Sequence, residues 1–135
     1  MMGADKTDGL HRQVALALIL RGWYSHMSRY FPDPEACGHH TIFGNISIKT
    51  YAGDKMLISI VDLPEGSVVD WHQHPHEQMG MMISGRAIFY IGEEVKELSV
   101  GDIYLIPGNI RHKVVPVGGP GKAIDIFSPV RDDYL

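Results

Sequence analysis

Apolar positions near the start of the chain recur at the spacing of one helix face. Leu10, Val14 and Leu18 are four residues apart, and this pattern predicts a helix over residues 10–29. Pro32 follows the predicted helix, and proline is a common stop signal because it lacks a backbone N–H. We therefore expect a helical arm ahead of the rest of the chain.

After residue 43 the pattern changes to short runs rich in β-branched residues, separated by Gly, Pro and Asp. Many short strands with no helix between them are typical of an antiparallel sandwich or barrel, so the predicted fold class is all-β. Turns are predicted between the runs, including Ser84-Gly85 and Gly118-Gly119-Pro120-Gly121. The predicted strands are 45–51, 55–63, 67–74, 78–84, 86–91, 95–99, 102–106, 111–117 and 122–128.

Several predicted strands are apolar on both faces. Ile58 and Ile60 alternate with Leu57 and Val61, although a face exposed to water is usually polar. We expect this outer face to be covered, either by the helical arm or by a second subunit, and we predict a homodimer. A monomer with an unusually apolar surface is the open alternative.

A length of 135 residues fits one domain, which we divide into an arm at 1–38 and a β domain at 39–135. The net charge of −4 argues against nucleic-acid and anionic-membrane partners. The longest apolar run, Val14 to Leu20, is far shorter than the ~20 residues of a membrane span, and its flanks do not fit a secretory signal. A single cysteine, Cys37, favours the reducing cytoplasm.

The eight histidines of the chain are clustered, with three of them in the stretch from His72 to His76. On a strand, His72 and His74 point to the same face, roughly 6–7 Å apart along the chain. This arrangement suits a shared metal ion, although an exposed pair of this kind also occurs by chance. Pro75 interrupts the strand before His76, and the amide oxygen of Gln78 is a possible further ligand. His39 and His40 are predicted to lie on the surface.

Two spaced motifs resemble those of the cupin superfamily. The first runs Gly66-x5-His72-x-His74-x3-Gln78-x6-Gly85, with Gln where most cupins have Glu. The second runs Gly101-x5-Pro107-x4-His112. The resemblance implies a single small jelly-roll β-barrel that holds a metal through His72, His74, Gln78 and His112.

A neutral glutamine in place of glutamate changes the expected properties of the metal site. An amide binds a divalent cation more weakly than a carboxylate does, and it leaves the site more positive, which favours an anionic substrate. Glu77 is one residue out of register with Gln78 and should point to the opposite face. The predicted cofactor is one divalent transition metal per chain: Zn, Ni, Fe or Mn.

The C-terminal strand places a carboxylate on the inner face. Asp125 shares a strand face with Phe127, and a carboxylate inside a barrel needs a partner or a chemical role. The simplest interpretation of Arg131 is a surface pair with Asp132 or Asp133. Met82 shares its strand face with Gln78 and is predicted to line the pocket, where it would contact substrate.

The run Asp125-x-Phe127-x-Pro129-x-Arg131, followed by two aspartates, resembles the KdgF-type cupins of uronate catabolism over residues 40–135. That family converts 4,5-unsaturated monouronates into linear ketouronates. The resemblance implies that Asp125 is the acid–base residue and that Phe127 is a wall of the substrate pocket. It implies that Arg131 is a second catalytic group that also binds the substrate.

Three functional hypotheses follow from these observations. The first is a metal-dependent lyase or isomerase acting on a small acidic sugar. The second is an iron-dependent cupin dioxygenase, and the third is a non-enzymatic sugar-binding or sensor module. Asp125 and Arg131 favour the first over the third, because a binding module needs no acid–base group.

Overall fold

The computed structural model describes Ser28 and residues 30–135. The predicted helix over 10–29 therefore lies, apart from Ser28, outside the described residues, and the division at residue 38 stays a prediction. A short 3-10 helix spans Pro34–Ala36, where the Asp33 carboxylate accepts a hydrogen bond from the Glu35 N–H at 2.9 Å. No helix in this described part of the chain is long and apolar enough to cross a membrane.

Gly38–Leu135 forms one compact unit built on an antiparallel sheet. Its strands pair in the order β1-β2-β3-β8-β5-β6, with β4 added on β8 and β7 on β5. A 3-10 turn, Asp132–Tyr134, follows the last strand. The strands are β1 (Gly38–Ile42), β2 (Ile46–Ala52), β3 (Leu57–Leu63), β4 (Val69–His72), β5 (Glu77–Ile91), β6 (Glu94–Leu98), β7 (Ile103–Ile106) and β8 (His112–Ser128). The all-β, antiparallel prediction is confirmed.

The two longest strands, β5 and β8, each join two strands that the sequence analysis separated. Ser84 pairs with Lys122 and Arg86 with Val117, so a single residue of β5 lies opposite the glycine-rich segment 118–121 of β8. Gly85 has a φ of 69° and Gly118 a φ of 71°, a conformation that favours glycine. The residues predicted as turns therefore form a bulge inside continuous strands.

The first strand, β1, was not predicted. Its sequence, Gly-His-His-Thr-Ile, has few β-branched residues and gives a weak strand signal. It forms because each of its residues pairs with β2, from Gly38 opposite Thr50 to Ile42 opposite Ile46. The strand contacts the C-terminal turn through His40, whose Nε2 lies 3.1 Å from the Tyr134 carbonyl.

The inward face of the sheet forms the hydrophobic core. Alternation places one side of each strand inside, as in β3, where Leu57, Val61 and Leu63 are buried. Met82 of β5 is fully buried in the same core. A few polar side chains share this interior, and most of them belong to the site described next: His74, Gln78, His112, Asp125 and Arg131.

Candidate metal centre and active site

Three histidines meet at one end of the sheet. His72 ends β4 and His112 begins β8, and the two residues are directly paired across the strands. His74 follows in the loop after β4, and one ligand atom from each of the three residues lies within 4.8 Å of the others. Strand pairing therefore brings together residues that are 40 positions apart in the sequence.

All three histidines use Nδ1 for a backbone hydrogen bond, which leaves Nε2 available for a metal. Such a bond fixes the ring orientation and the tautomer of a ligating histidine. Burial lowers the pKa of all three rings, and it lowers that of His112 to about 4, so the rings are neutral at pH 7. The Nδ1 bonds run from His72 to the Asp70 carbonyl at 2.7 Å, from His74 to the His76 carbonyl at 3.0 Å and from His112 to the Ile110 carbonyl at 2.8 Å.

Two observations test whether these residues fit a cation. Within the described residues, His112 Nε2 is a buried nitrogen with no hydrogen-bond partner. His74 Nε2 lies 3.0 Å from the Oε1 oxygen of Gln78. Since His74 donates through Nδ1, its neutral Nε2 carries a lone pair that faces another acceptor. A shared cation resolves both features, so the set fits a metal ion.

A hydrogen bond from the amide nitrogen of Gln78 fixes the orientation of its amide group. Gln78 lies on the inner face of β5, paired with Phe127 of β8, and its Nε2 donates to Asp125 Oδ1 at 2.9 Å. This bond turns Oε1 towards His74. Glu77, the neighbouring carboxylate, is exposed on the opposite face.

Asp125 is a buried carboxylate with two donors. Besides Gln78, the Tyr104 hydroxyl donates to Asp125 Oδ1 at 2.5 Å. Burial raises the pKa of Asp125, while the two hydrogen bonds and the Arg131 charge oppose that rise. Burial also raises the pKa of Tyr104, which remains a hydrogen-bond donor. The carboxylate therefore has a defined orientation.

Tyr104 was not among the site residues predicted from sequence. It lies on β7, and it reaches Asp125 of β8 across the intervening strand β5, where Gly80 pairs with both residues. A side chain at Gly80 would occupy the space filled by the Tyr104 ring. A glycine inside a strand can indicate such a close approach, but pairing between distant strands is needed to identify its partner.

Arg131 is buried rather than exposed on the surface. It pairs with Asp133 through two bonds, Nη2 to Oδ2 at 2.6 Å and Nε to Oδ1 at 3.2 Å. Its guanidinium carbon lies 3.9 Å from the Tyr134 ring centroid and 4.9 Å from that of Phe127. Tyr134 and Asp133 had no role in the site predicted from sequence.

A cavity opens beside the histidines. It measures about 500 Å³ including its opening to solvent, and it combines polar groups with an apolar wall. Met82 lies in the core rather than among these lining residues, and its contact with substrate stays a prediction. The cavity is lined in part by His72, Gln78, Tyr104, His112, Asp125, Phe127, Arg131 and Tyr134.

Comparison with known proteins places these residues in a family context. A family model described as "Cupin domain" matches residues 59–127, which include both spaced motifs. The chain is 32% identical over 111 residues to "Pectin degradation protein KdgF" of Dickeya dadantii (strain 3937), covering 81% of this chain and 100% of that protein.

Solved structures show the same similarity. KdgF from Halomonas sp. matches with a TM-score of 0.67 and 30% identity, covering 72% of this chain and 92% of that one. An RmlC-like cupin from Shewanella frigidimarina NCIMB 400 matches with a TM-score of 0.71 and 24% identity, covering 80% and 97%. The second similarity concerns the fold alone.

Proposed function

This chain belongs to the cupin family and resembles KdgF, and from that premise we propose that it is a metal-dependent enzyme that opens the ring of a small unsaturated uronate. One observation carries the proposal: the buried Asp125 is bonded to Gln78 beside the three histidines, in a cavity that Arg131 also lines. Such a site offers Asp125 as a proton-transfer group and Arg131 as a cation that can bind the carboxylate of the substrate.

The proposed cofactor is one divalent transition metal per chain, held by His72, His74, Gln78 and His112. When bound, such a metal supplies a Lewis acid that polarises substrate oxygen atoms. The buried imidazoles are neutral and keep their Nε2 lone pairs for this purpose.

Asp125 is the proposed acid–base residue. Tyr104 and Gln78 both donate to Oδ1, so we assign proton transfer to Oδ2. The proposed reaction is an isomerisation that requires no oxidant. The ring C–O bond at the anomeric carbon breaks, the anomeric hydroxyl loses its proton to leave a carbonyl, and the enolate so formed gains a proton at carbon to give a ketone. A carboxylate whose pKa is raised by burial suits this exchange.

Arg131 is the proposed receptor for the substrate carboxylate, because a guanidinium binds carboxylates through two parallel hydrogen bonds. Phe127 packs beside this guanidinium and also contacts His74, with ring centroids 5.5 Å apart. We therefore assign Phe127 to the wall between the metal ligands and the bound carboxylate.

Two parts of the proposal concern the whole molecule. The single cysteine of the chain favours a reducing cytoplasm. A homodimer is favoured by exposed apolar side chains on the outer face of the sheet, among them Ile58, Ile126 and Met79.

The test is an assay with 4,5-unsaturated galacturonate. We expect the enol-ether absorbance to fall in the presence of the protein, and we expect a chelator to stop the reaction. Asp125→Ala should abolish turnover while retaining its metal, whereas Asp62→Asn, which removes a partly exposed carboxylate that pairs with Lys122 on the surface, should behave like the wild type. Full activity of Asp125→Ala would disprove the assignment. Activity that requires iron and consumes oxygen would favour a dioxygenase instead.

A further inference from the structure

The turn after β8 places a second carboxylate against the arginine of the site. Asp133 lies on this turn, Asp132–Tyr134, and its side chain is 57% exposed, whereas that of Arg131 is only 10% exposed. The bonds from Arg131 draw the pKa of Asp133 below its usual range, so this carboxylate is charged at neutral pH. The pair thus joins a buried cation to a partly exposed anion.

The bonds to Asp133 occupy only one edge of the guanidinium. They use Nε and Nη2, at 3.2 Å and 2.6 Å from the two carboxylate oxygens. A guanidinium has five N–H donors, so a second edge, formed by Nη1 and the other N–H of Nη2, remains for another carboxylate. The position of Asp133 therefore decides which edge of Arg131 is free.

The faces of the guanidinium are restrained as well. Tyr134 and Phe127 both contact it, at 3.9 Å and 4.9 Å from the ring centroids. The Tyr134 carbonyl accepts hydrogen bonds from the Thr50 hydroxyl at 2.8 Å and from His40 Nε2 at 3.1 Å. These bonds tie the turn to β1 and β2, so Arg131 is held by a fixed support.

We propose that Asp133 is a positioning residue, which holds Arg131 so that its second edge is presented to the carboxylate of the substrate. The proposal rests on the function proposed above. It assigns Asp133 no contact with the reacting atoms, and it predicts an effect on substrate binding rather than on the chemical step.

The direction of the change in KM distinguishes a positioning role of Asp133 from a simple effect of its charge. Asp133 is an anion beside a site for an anionic substrate, so removal of its charge alone should tighten substrate binding. Loss of positioning should instead weaken binding, because an unsupported arginine must be ordered when the substrate arrives. The two explanations therefore predict opposite changes in KM.

The experiment compares Asp133→Asn with the matched variant Asp132→Asn, which removes the same charge from the exposed neighbouring residue. We expect Asp133→Asn to raise KM on the order of tenfold with kcat changed much less, as for the loss of a charge-assisted hydrogen bond. Asp132→Asn should leave KM unchanged or lower it slightly. Equal KM values in the two variants would overturn the proposal.

A second measurement does not depend on turnover. In a nitrogen-15 NMR spectrum, the held Nε–H of Arg131 should give a slowly exchanging signal, identified by its loss in Arg131→Lys. Asp133→Asn should lose that signal while its thermal unfolding stays cooperative, and Asp132→Asn should keep it. If the wild type does not convert the uronate, the proposed function fails, but a signal that survives in Asp133→Asn still refutes the positioning role.

Discussion

Gln78 uses both ends of one neutral side chain. Its oxygen faces His74, and its nitrogen donates to Asp125 at 2.9 Å. A glutamate in this position would have only acceptor oxygens, and it would face the Asp125 carboxylate at hydrogen-bond distance. The amide therefore lets the proposed metal ligand Gln78 and the buried Asp125 lie side by side without two opposed negative charges.

This arrangement predicts that Gln78→Glu increases metal retention and decreases turnover. A carboxylate binds a divalent cation more tightly than an amide does, so metal retention during dialysis against a chelator should increase. Turnover should fall at least tenfold, because two adjacent carboxylates raise the pKa of one of them and so disturb Asp125. A pKa change of one unit, ~1.4 kcal/mol, already corresponds to a factor of ten. Gln73→Glu, which adds the same charge at an exposed position, is the control. Unchanged metal retention would argue against Gln78 as a ligand.

The residues that sequence could identify are those with a local signal. Asp125 is inward together with Phe127, as strand alternation predicts. The predicted strand over 67–74 ends at His72, so His74 joins the cluster from the loop after β4 and not from a shared strand face. The place of His112 came from the cupin motif. Tyr104 could not be found in this way, because its contact with Asp125 depends on which distant strands pair.

At the scale of elements, β5 helps to position Asp125 because Gly80 has no side chain. Gly80 lies between Tyr104 of β7 and Asp125 of β8 in one row across the sheet. The missing side chain leaves room for the Tyr104 ring to cross β5. Strand β5 therefore positions Tyr104 through the open space at Gly80 and not through a side chain of its own.

Gly80→Ala should displace Tyr104 and release Asp125 Oδ1. The new methyl group would collide with the Tyr104 ring, so we expect a loss of stability of about 1–3 kcal/mol, as for other overpacked cores, together with reduced turnover. Thermal unfolding and the uronate assay measure the two effects. Gly53→Ala makes the same change where the nearest atom is at an ordinary 3.5 Å, and it should alter neither. Wild-type stability of Gly80→Ala would contradict this account.

The strand pattern predicted most elements because one side of each strand is apolar. It failed where local and long-range signals disagree. Ser84-Gly85 and the segment 118–121 carry turn residues, yet both strands continue because each keeps a partner beyond the bulge. In β1 the signal is weak, and pairing with β2 forms the strand.

At the scale of the whole molecule, the outer face of the sheet carries an apolar patch four strands wide. Strand pairing aligns its side chains in two rows across β3, β8, β5 and β7, and five of them are at least 40% exposed. The first row is Ile58, Ile126, Met79 and Leu105, and the second is Ile60, Ile124, Met81 and Ile103.

A second copy of the chain is the occupant we propose for this patch. Contiguous exposed apolar side chains of this extent are typical of protein–protein interaction surfaces. Lys49 borders the second row beside Ile60, and Glu77 lies beyond the first row, next to Met79 along β5. The border of the patch therefore carries charges of both signs, which suits a self-complementary two-fold interface.

Ile58→Lys should therefore convert a dimer into a monomer. A buried, unpaired ammonium at each copy of the interface is costly, and dimer affinity should fall by at least a hundredfold, equivalent to ~2.7 kcal/mol. Light scattering during gel filtration gives the mass, with Val95→Lys, a similar change at an exposed position of β6, as control. A wild-type monomer at high concentration would refute the dimer, and dimerisation only after removal of residues 1–27 would show that this segment covers the patch.

The bulge in β8 lies between two paired parts of one strand. Residues up to Val117 pair with β5, and those from Lys122 onward pair with both β5 and β3, so the segment between them is the bulge. His112 and Asp125 are thus each anchored by pairing with β5, on either side of this short spacer. Extra residues added at Gly119 would extend into solvent without shifting either anchor, which makes this spacer the natural point for attaching a fluorophore or an affinity tag.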